Sequence, residues 1–461
     1  MSVKLENDSA PRRLEMLNGS KIRMNSNENG IKRKCANFSK KKVVQYKLPI
    51  LTNYMKKAVA TLLALSSFFV GFSQTNIPKS TWRAALQRGV YDLPFGLEIN
   101  PKANGKYEVF VLNGSERLAM DEAYMVGDSL HIPMLIFDSD LVAKVSGNTL
   151  TGSWKKNRNG VWISVLPFKA QKGEVHLFAK TPAKTTKNVT GKYATYFYRA
   201  ERKDSSFAVG ILDQKGTKLS GTFLTPTGDY RYLAGDVVGD SLFMSCYDGS
   251  HAFLFRAAIL PSGKIQGGLW SGISGYQPFI ATLDEKAELP PPTALTYLKP
   301  GYESLDFSFP DTKGKLVSLK DERYKGKVVV LQLSGTWCPN CMDETRFMVP
   351  WYEKNAKRGV EIVGLMFERS PEIKISGPKI DFMGKRFGVP YPLLLAGTND
   401  ADAGKSLPAL NKVAGYPTTI FIDKKGRVRE IHTGFSGPGT GKYYDQFIED
   451  FNALITKLLS E

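Results

Sequence analysis

The fold of the C-terminal third of the chain is decided by the stretch Gly335-Thr336-Trp337-Cys338-Pro339-Asn340-Cys341. It follows the apolar run 328–333, which is typical of a buried strand, and it precedes residues with the apolar spacing of a helix. Two cysteines separated by two residues, at the point where a strand leads into a helix, indicate a dithiol redox site. We expect Cys338 to be held partly as the thiolate, because the unpaired N–H groups and the dipole of a helix start favour an anion. Pro339 fits the first helical turn, where a residue without an N–H loses no hydrogen bond.

Two other uses of the cysteine pair fit the sequence less well. A zinc site needs four ligands, but the other cysteines are Cys35 and Cys246, and His432 is the one histidine in the C-terminal third. A purely structural disulfide between residues so close in sequence would close a very short loop and stabilise the fold little. We therefore interpret Cys338 and Cys341 as a redox-active disulfide.

The composition excludes one class of partner. The chain has 461 residues, enough for two or three domains. Its net charge is +19, but residues 1–74 hold 14 Lys and Arg against 4 Asp and Glu, and the other 387 residues carry only +9, without a basic block. We therefore expect no nucleic-acid partner.

Residues 55–73 have the pattern of a signal peptide. Met55-Lys56-Lys57 form a charged start, an apolar core follows, and small residues precede Gln74. The alternative is a retained membrane anchor, but the apolar run is short for a span of about 20 residues. We expect cleavage, export, and a location in the periplasm or the cell envelope.

Residues 1–54 precede this complete signal and are rich in Asn, Lys and Ser. They are explained either by a start codon assigned too far upstream or by a disordered tail. We exclude them, and Cys35 with them, from the fold prediction, which leaves Cys246 unpaired. We expect Cys246 to pack as a small buried hydrophobic residue on a strand, and a reactive or intermolecular thiol is the alternative.

Residues 75–284 consist of short, partly alternating apolar runs separated by Asn-Gly, Gly-Asp and Ser-Gly turns, which predicts an all-β region. The region repeats itself. Val-Gly-Asp-Ser-Leu at 126–130 recurs at 238–242, and Gly-x-Trp at 152–154 recurs at 268–270. We predict two tandem copies of a unit of about a hundred residues, which together form a barrel or a sandwich.

This β region carries little recognisable chemistry. His131, His176 and His251 are scattered at strand positions. The repeated Gly-Asp-Ser-Leu resembles a block of some lipases, but it occurs twice and turn chemistry explains it. No His and Asp constellation accompanies it, so we predict no hydrolase. Substrate presentation, oligomerisation and surface binding stay open for this region.

Residues 285–300 contain three consecutive prolines and predict a semi-rigid linker. From 301 to 461 the pattern changes to alternating strands and helices. The predicted elements are a hairpin at 307–319, strands at 327–333, 360–367, 418–423 and 428–432, a helix after the cysteines, a long insert at 371–411 and a final helix at 442–459.

Residues 301–461, about a third of the chain, resemble the TlpA/ResA type of the thioredoxin family. The resemblance rests on the hairpin that ends at 317–319, the Gly-Lys-Val strand start, Trp-Cys-Pro-Asn-Cys, and Gly-Tyr-Pro-Thr-Thr at 415–419. It implies an α/β thioredoxin-like fold, so the predicted chain is multidomain, with an all-β part followed by this one.

The resemblance also assigns residues around the dithiol. It implies that Pro417 is cis and faces the cysteines, and that Glu344 is the glutamate the family places three residues after the second cysteine. The alternative for Glu344 is a solvated carboxylate on the helix surface. We expect Asp343, beside it, to be an ordinary surface carboxylate. Asn340, between the cysteines, departs from the family pattern.

Together these features predict an exported thiol-disulfide oxidoreductase that acts as a reductase. Cys338 attacks a substrate disulfide, Cys341 resolves the mixed disulfide, and Glu344 handles the proton of the resolving thiol. The predicted substrate groove is formed by Trp337, Pro339, Tyr416, Pro417 and Thr418. The cysteine pair itself carries the electrons, so no metal, flavin or nucleotide cofactor is implied. The implied partners are protein disulfide substrates and a membrane thiol-disulfide electron donor.

Two rival functions remain. The resemblance to a peroxiredoxin is weaker, because that family requires Thr three residues before the reactive cysteine and Gly335 holds that position here. The rival from another class is a surface binding protein whose β part does the work and whose thioredoxin part only docks it. A reductase assay on the C-terminal part distinguishes the binding protein from the enzyme.

Overall fold

The computed structural model describes residues 76–158, 160–180, 187–199, 204–400 and 403–461. The predicted signal peptide, the N-terminal extension and Cys35 lie outside these residues. Within them, no helix is both long enough and apolar enough to cross a membrane.

The first half of the β region forms one antiparallel sheet that curls without closing. Its nine strands in the described residues are β1 (Ser80–Arg88), β2 (Tyr91–Pro101), β3 (Tyr107–Asn113), β4 (Glu116–Ala119), β5 (Tyr124–Val126), β6 (Ser129–Met134), β7 (Ser139–Ser146), β8 (Thr149–Arg158) and β9 (Val161–Lys172). Their order in the sheet is β4-β3-β2-β1-β9-β8-β7-β6-β5. The two sides are joined at an isolated β-bridge between Tyr107 and Ala123, which exchange backbone hydrogen bonds of 2.8 and 2.9 Å. We call this sheet the half-barrel.

The second half repeats the arrangement and closes. Its strands are β10 (Gly191–Tyr198), β11 (Ser205–Lys215), β12 (Lys218–Thr225), β13 (Gly228–Asp229), β14 (Leu233–Val238), β15 (Ser241–Tyr247), β16 (Ala252–Ile259), β17 (Ile265–Ser271) and β18 (Gly275–Leu283). The sheet runs β11-β10-β18-β17-β16-β15-β14-β12, and β12 also pairs with β11. That last pairing makes a closed barrel of eight strands, which leaves no free edge among them.

The sequence repeats occupy equivalent places in the two sheets, which confirms the predicted tandem architecture. Val-Gly-Asp-Ser-Leu forms the turn between the fifth and sixth strands of each sheet, with Gly127 at φ 61° and Gly239 at φ 58°. In each copy the aspartate carbonyl accepts a backbone hydrogen bond, of 2.9 Å at Asp128 and 2.7 Å at Asp240. Of the two folds left open by the sequence, the structure therefore selects the barrel, closed in one copy and open in the other.

Cys246 lies in β15 and is buried, as expected for a small core residue. Burial raises the pKa of its thiol well above the ordinary value, with Asp248 and Glu116 adding to the effect. A neutral thiol in an apolar core is a poor nucleophile.

The C-terminal part has the predicted thioredoxin-like α/β fold. Its elements are the hairpin β19 (Ser308–Pro310) and β20 (Leu316–Ser318), strands β21 (Val328–Ser334), β22 (Val360–Glu368), β23 (Leu393–Thr398), β24 (Thr418–Ile422) and β25 (Val428–Thr433), and helices α1 (Pro339–Asn355), α2 (Ile373–Phe387) and α3 (Lys442–Ser460). The main sheet has the order β23-β22-β21-β24-β25, with β21 parallel to β22 and antiparallel to β24. β21 is buried on both faces, which explains its nearly continuous apolar sequence.

Two segments of this part differ from the sequence prediction. The insert at 371–411 contains α2 and β23, which extend the βαβ unit. The helix α2 was not predicted, because polar residues and glycines interrupt the apolar pattern within 373–387. Its buried side chains include Ile380 and Met383. Part of the proline-rich segment also packs against the sheet, because Thr296 is buried and meets the hydroxyl of Thr433 at 3.0 Å.

The half-barrel, the closed barrel and the thioredoxin-like part meet at Arg231, which follows β13 and is buried. Its guanidinium pairs with Glu116 of the half-barrel at 2.5 Å, with Asp248 of the barrel at 3.6 Å, and with Asp343 of α1. Burial opposes the charge of Arg231, but the three carboxylates raise its pKa well above the ordinary value. The expectation that Asp343 is an ordinary surface carboxylate is therefore wrong, because the barrel covers it and supplies its cation.

Replacement of this arginine tests whether the junction stabilises the whole molecule. We expect Arg231→Met to lower the free energy of unfolding by about 3–5 kcal/mol, because buried carboxylates lose their cation. Arg117→Met is the matched control, since Arg117 pairs with Glu98 on the exposed face of the half-barrel. Arg117→Met should lower the free energy of unfolding by less than about 1 kcal/mol. Denaturant unfolding of both variants measures the difference, and equal small losses would contradict the role assigned to Arg231.

Candidate functional site

The two cysteines lie where β21 leads into α1. Cys338 is the N-cap of the helix, and its sulfur accepts the backbone N–H of Cys341 at 3.2 Å. Pro339 takes the first helical position, as predicted. A disulfide joins Cys338 to Cys341, and only 5% of the surface of Cys338 is exposed. The dithiol therefore sits at a helix N-terminus, the environment that stabilises a thiolate.

The loop before β24 faces this disulfide. The Tyr416–Pro417 peptide bond is cis, as the family resemblance implies, and the Tyr416 carbonyl oxygen lies 3.7 Å from the sulfur of Cys338. The indole of Trp337 meets the ring of Tyr416 edge-on at 5.5 Å and donates to the carbonyl of Phe367 at 2.8 Å. Thr418 is buried and donates to the carbonyl of Gly415 at 2.8 Å, so it holds the loop from within.

Glu344 lies one helical turn after Cys341, on the same side of α1, and is fully buried. Its carboxylate accepts hydrogen bonds from Thr419 at 2.7 Å and from the amide of Gln332 at 2.9 Å. Burial raises the pKa of Glu344 to about 7, although these two hydrogen bonds lower it. The carboxyl can therefore gain or lose a proton near neutral pH, and the alternative of a solvated surface carboxylate is excluded.

A short polar network supports Glu344, and sequence reasoning missed it. Gln332 and Thr419 are directly opposite each other on β21 and β24, so both point toward α1. Gln332 also donates to the hydroxyl of Thr345 at 3.2 Å, and Thr345 donates to the carbonyl of Cys341 at 2.8 Å. The available signal was the single glutamine inside an otherwise apolar strand, since buried polar groups need partners.

Glu368 is a second buried carboxyl that the sequence prediction missed. At the end of β22 it accepts the backbone N–H of Thr336 at 2.7 Å and the hydroxyl of Thr336 at 2.8 Å. Burial raises its pKa. These contacts fix the backbone just before Trp337 and Cys338. In the described residues no group of three or more His, Cys, Asp or Glu side chains is arranged to hold a metal ion.

Comparisons with known proteins find similarity over about a third of the chain. The family model described as Redoxin matches residues 299–447. The chain is 34% identical over 144 residues to the thiol-disulfide oxidoreductase ResA of Geobacillus kaustophilus, covering 31% of this chain and 74% of that protein. It is 32% identical over 179 residues to ResA of Bacillus anthracis, covering 38% of this chain and 85% of that protein. A solved structure of a thioredoxin-family thiol:disulfide interchange protein from Chlorobium tepidum is similar over 34% of this chain and 95% of its own, with 23% identity and a TM-score of 0.27.

A cysteine pair at the start of a helix, facing a cis-proline loop on a mixed sheet, defines a thioredoxin-fold oxidoreductase. By its similarity to these relatives, the chain belongs to the family of ResA thiol-disulfide oxidoreductases. It is therefore an enzyme of thiol-disulfide exchange, and the family acts through its cysteine pair.

The raised pKa of Glu344 predicts a pH-dependent stability. Because the folded protein keeps this proton up to a pH of about 7, the free energy of unfolding should fall as the pH rises from the ordinary glutamate value of 4.5 through 7. The loss should amount to roughly 3 kcal/mol. Glu344→Gln should remove this pH dependence, so above pH 7 the free energy of unfolding of the variant should exceed that of the parent. Denaturant unfolding of the disulfide form at pH 5 and at pH 8 measures this, with the exposed Glu353→Gln of the same helix as control. An identical pH slope in parent and Glu344→Gln would disprove the assignment.

Proposed function

We propose that this protein is an exported reductase of protein disulfides. The observation that carries the proposal is the arrangement of the dithiol, with Cys338 at the helix N-terminus beside the Tyr416 carbonyl and a buried carboxyl, Glu344, one turn behind Cys341. This arrangement supplies a nucleophile, a resolving thiol and a group that exchanges protons near neutral pH.

The reaction begins with the reduced pair. The Cys338 thiolate attacks one sulfur of a substrate disulfide, so a Cys338–substrate bond forms as the substrate bond breaks, and the other substrate sulfur leaves as a thiolate. Cys341 then loses its proton and attacks the sulfur of Cys338. The Cys338–Cys341 disulfide forms, and the second substrate thiolate is released. Two electrons pass to the substrate, whose two thiolates take up two protons.

Glu344 fits the proton transfer of the second step. Cys341 must be deprotonated to attack, and a carboxylate with a pKa of about 7 is a suitable base at neutral pH. The burial of Cys341 and Glu344 excludes water as a ready acceptor. The helical spacing of the two residues allows the proton to pass along one face of α1.

The site residues have distinct proposed roles around the groove. Trp337, Tyr416 and Pro417 contact the substrate next to Cys338. Pro339 and Thr418 shape the groove, one by starting α1 and the other by bonding Gly415.

The pattern of residues 55–73 supports export to the periplasm or cell envelope. After each turnover the disulfide has to be reduced again, and in an exported protein the electrons must cross the membrane. We assign that role to a membrane thiol-disulfide donor, which reduces Cys338–Cys341 by the same exchange in reverse.

Cysteine variants identify the nucleophile. Cys341→Ser should accumulate a mixed disulfide between Cys338 and the substrate, because the resolving thiol is missing. Cys338→Ser should accumulate none, since Cys341 is fully buried. Non-reducing electrophoresis and mass spectrometry of the trapped species provide the measurement. Equal trapping by both variants would show that the attacking sulfur has been misassigned.

The export proposal predicts the N-terminus of the mature protein. Protein isolated from the envelope fraction of its own cells should begin near Gln74 and lack residues 1–54. Mass spectrometry of the intact chain and its peptides determines this. Recovery of peptides from residues 1–40 in that fraction would refute cleavage at the predicted position.

A further inference from the structure

One turn of the barrel lies against the dithiol face. Residues 226–231, which we call the barrel turn, pack on the loops that flank Pro417. A Cβ atom added to Gly415 would lie 2.5 Å from the methyl group of Thr227, and one added to Gly434 would lie 2.9 Å from the carbonyl oxygen of Pro226. Gly434 in turn donates its N–H to the carbonyl of Pro417 at 2.8 Å. The barrel turn therefore lies close to both loops, with the side chain of Thr227 at Gly415 and its own backbone at Gly434, so that a larger residue at either position would displace it.

Polar contacts hold the barrel turn in this place. The carbonyl of Asp229 accepts from the side chain of Asn340, between the two cysteines, at 3.3 Å. The carboxylate of Asp229 accepts the N–H of Gly437 at 2.8 Å. At the end of the turn, Arg231 pairs with Asp343, two residues after Cys341. The departure from the family pattern at Asn340 thus coincides with a contact to the β part of the same chain.

The other side of Trp337 remains open. A cleft of about 700 Å³ lies between the β part and the thioredoxin-like part, and its lining includes Thr336 and Trp337, the two residues that precede Cys338. Ile136 and Phe137 contribute to one wall and Ile375 of α2 to the other. A cleft of this size holds a drug-sized molecule or a few residues of a chain, and a folded domain is far larger.

We propose that the barrel turn is a specificity element of the dithiol site. It closes the approach to the cysteines past Gly415 and Gly434, so that substrates reach Cys338 and Pro417 only along the cleft beside Trp337. Arg231 is its positioning residue, because it ties the turn to α1. This inference rests on the proposed reductase function. The β part thereby decides which disulfides the cysteine pair can reach, and a disulfide on the surface of a folded domain is excluded by the bulk around it.

The test measures how efficiently the full-length reduced protein reduces three different disulfides. The probes are glutathione disulfide, a short peptide pair joined by one disulfide, and a folded domain with a solvent-exposed disulfide of similar reduction potential. The reductase kcat/KM for the folded domain should be at least about tenfold below that for the peptide. Arg231→Met should bring the kcat/KM values for the peptide and the folded domain closer together. Arg231→Lys should keep part of the parent's difference between them, and Arg117→Met should keep all of it. A general loss of stability would lower both kcat/KM values by the same factor, because less protein would be folded, and would leave their ratio unchanged.

A second pair of variants tests the cleft and does not depend on Arg231. Ile375 is 52% exposed and lines the cleft, whereas Leu316 is 64% exposed on the hairpin outside it. Ile375→Trp should lower kcat/KM for the peptide several-fold, and Leu316→Trp should not change it. Equal rates for peptide and folded domain in the parent, or no effect of Ile375→Trp, would overturn the specificity role. Reduction of glutathione disulfide alone would overturn it as well. Failure to reduce any of the three disulfides would instead overturn the proposed reductase function on which the inference rests.

Discussion

The whole arrangement depends on the first two turns of helix α1. Cys338 caps the helix and faces the cis-proline loop, while its sulfur accepts the N–H of Cys341. Because successive residues of a helix are about 100° apart, Asp343 and Glu344 project in different directions. Asp343 reaches the barrel through Arg231, and Glu344 enters the core between β21 and β24. One short stretch of helix thus links the redox pair, its buried carboxyl and the β part of the molecule.

The junction at Arg231 is built from charges that have been removed from water. Such a cluster adds little net stability compared with an apolar one, but it tolerates only one geometry, because any lost partner leaves a buried charge. The guanidinium contacts carboxylates from the half-barrel, the barrel and α1. Burial raises the pKa of the neighbouring Asp229 to about 6, against the hydrogen bond from Gly437. These polar contacts close to the dithiol therefore help to position the duplicated β part, together with the apolar cluster that it shares with α1.

Much of the fold was predictable because the signals are local. Strand alternation, turn residues and the repeated Val-Gly-Asp-Ser-Leu predicted the tandem β units, and a pattern of two cysteines at a helix start predicted the redox site. The closure of one copy was not predictable, since it depends on the pairing of β12 with β14. The equivalent strands of the half-barrel, β3 and β5, are linked instead by the isolated bridge between Tyr107 and Ala123. The partners of Glu344 could not be predicted either, because Gln332 and Thr419 come from two strands that are far apart in the sequence.

By itself, the sequence determined the class of chemistry, since Cys338, Cys341 and the proline at 417 lie in an order and context typical of one fold. Only the tertiary structure decided that Glu344 is buried with a raised pKa, that Asp343 is paired, and that the barrel turn covers one side of the dithiol. The reason is physical. Burial and ion pairing depend on which surfaces meet. The contacts of the barrel turn with α1 join residues more than a hundred positions apart, and the contacts of Glu344 join separate strands.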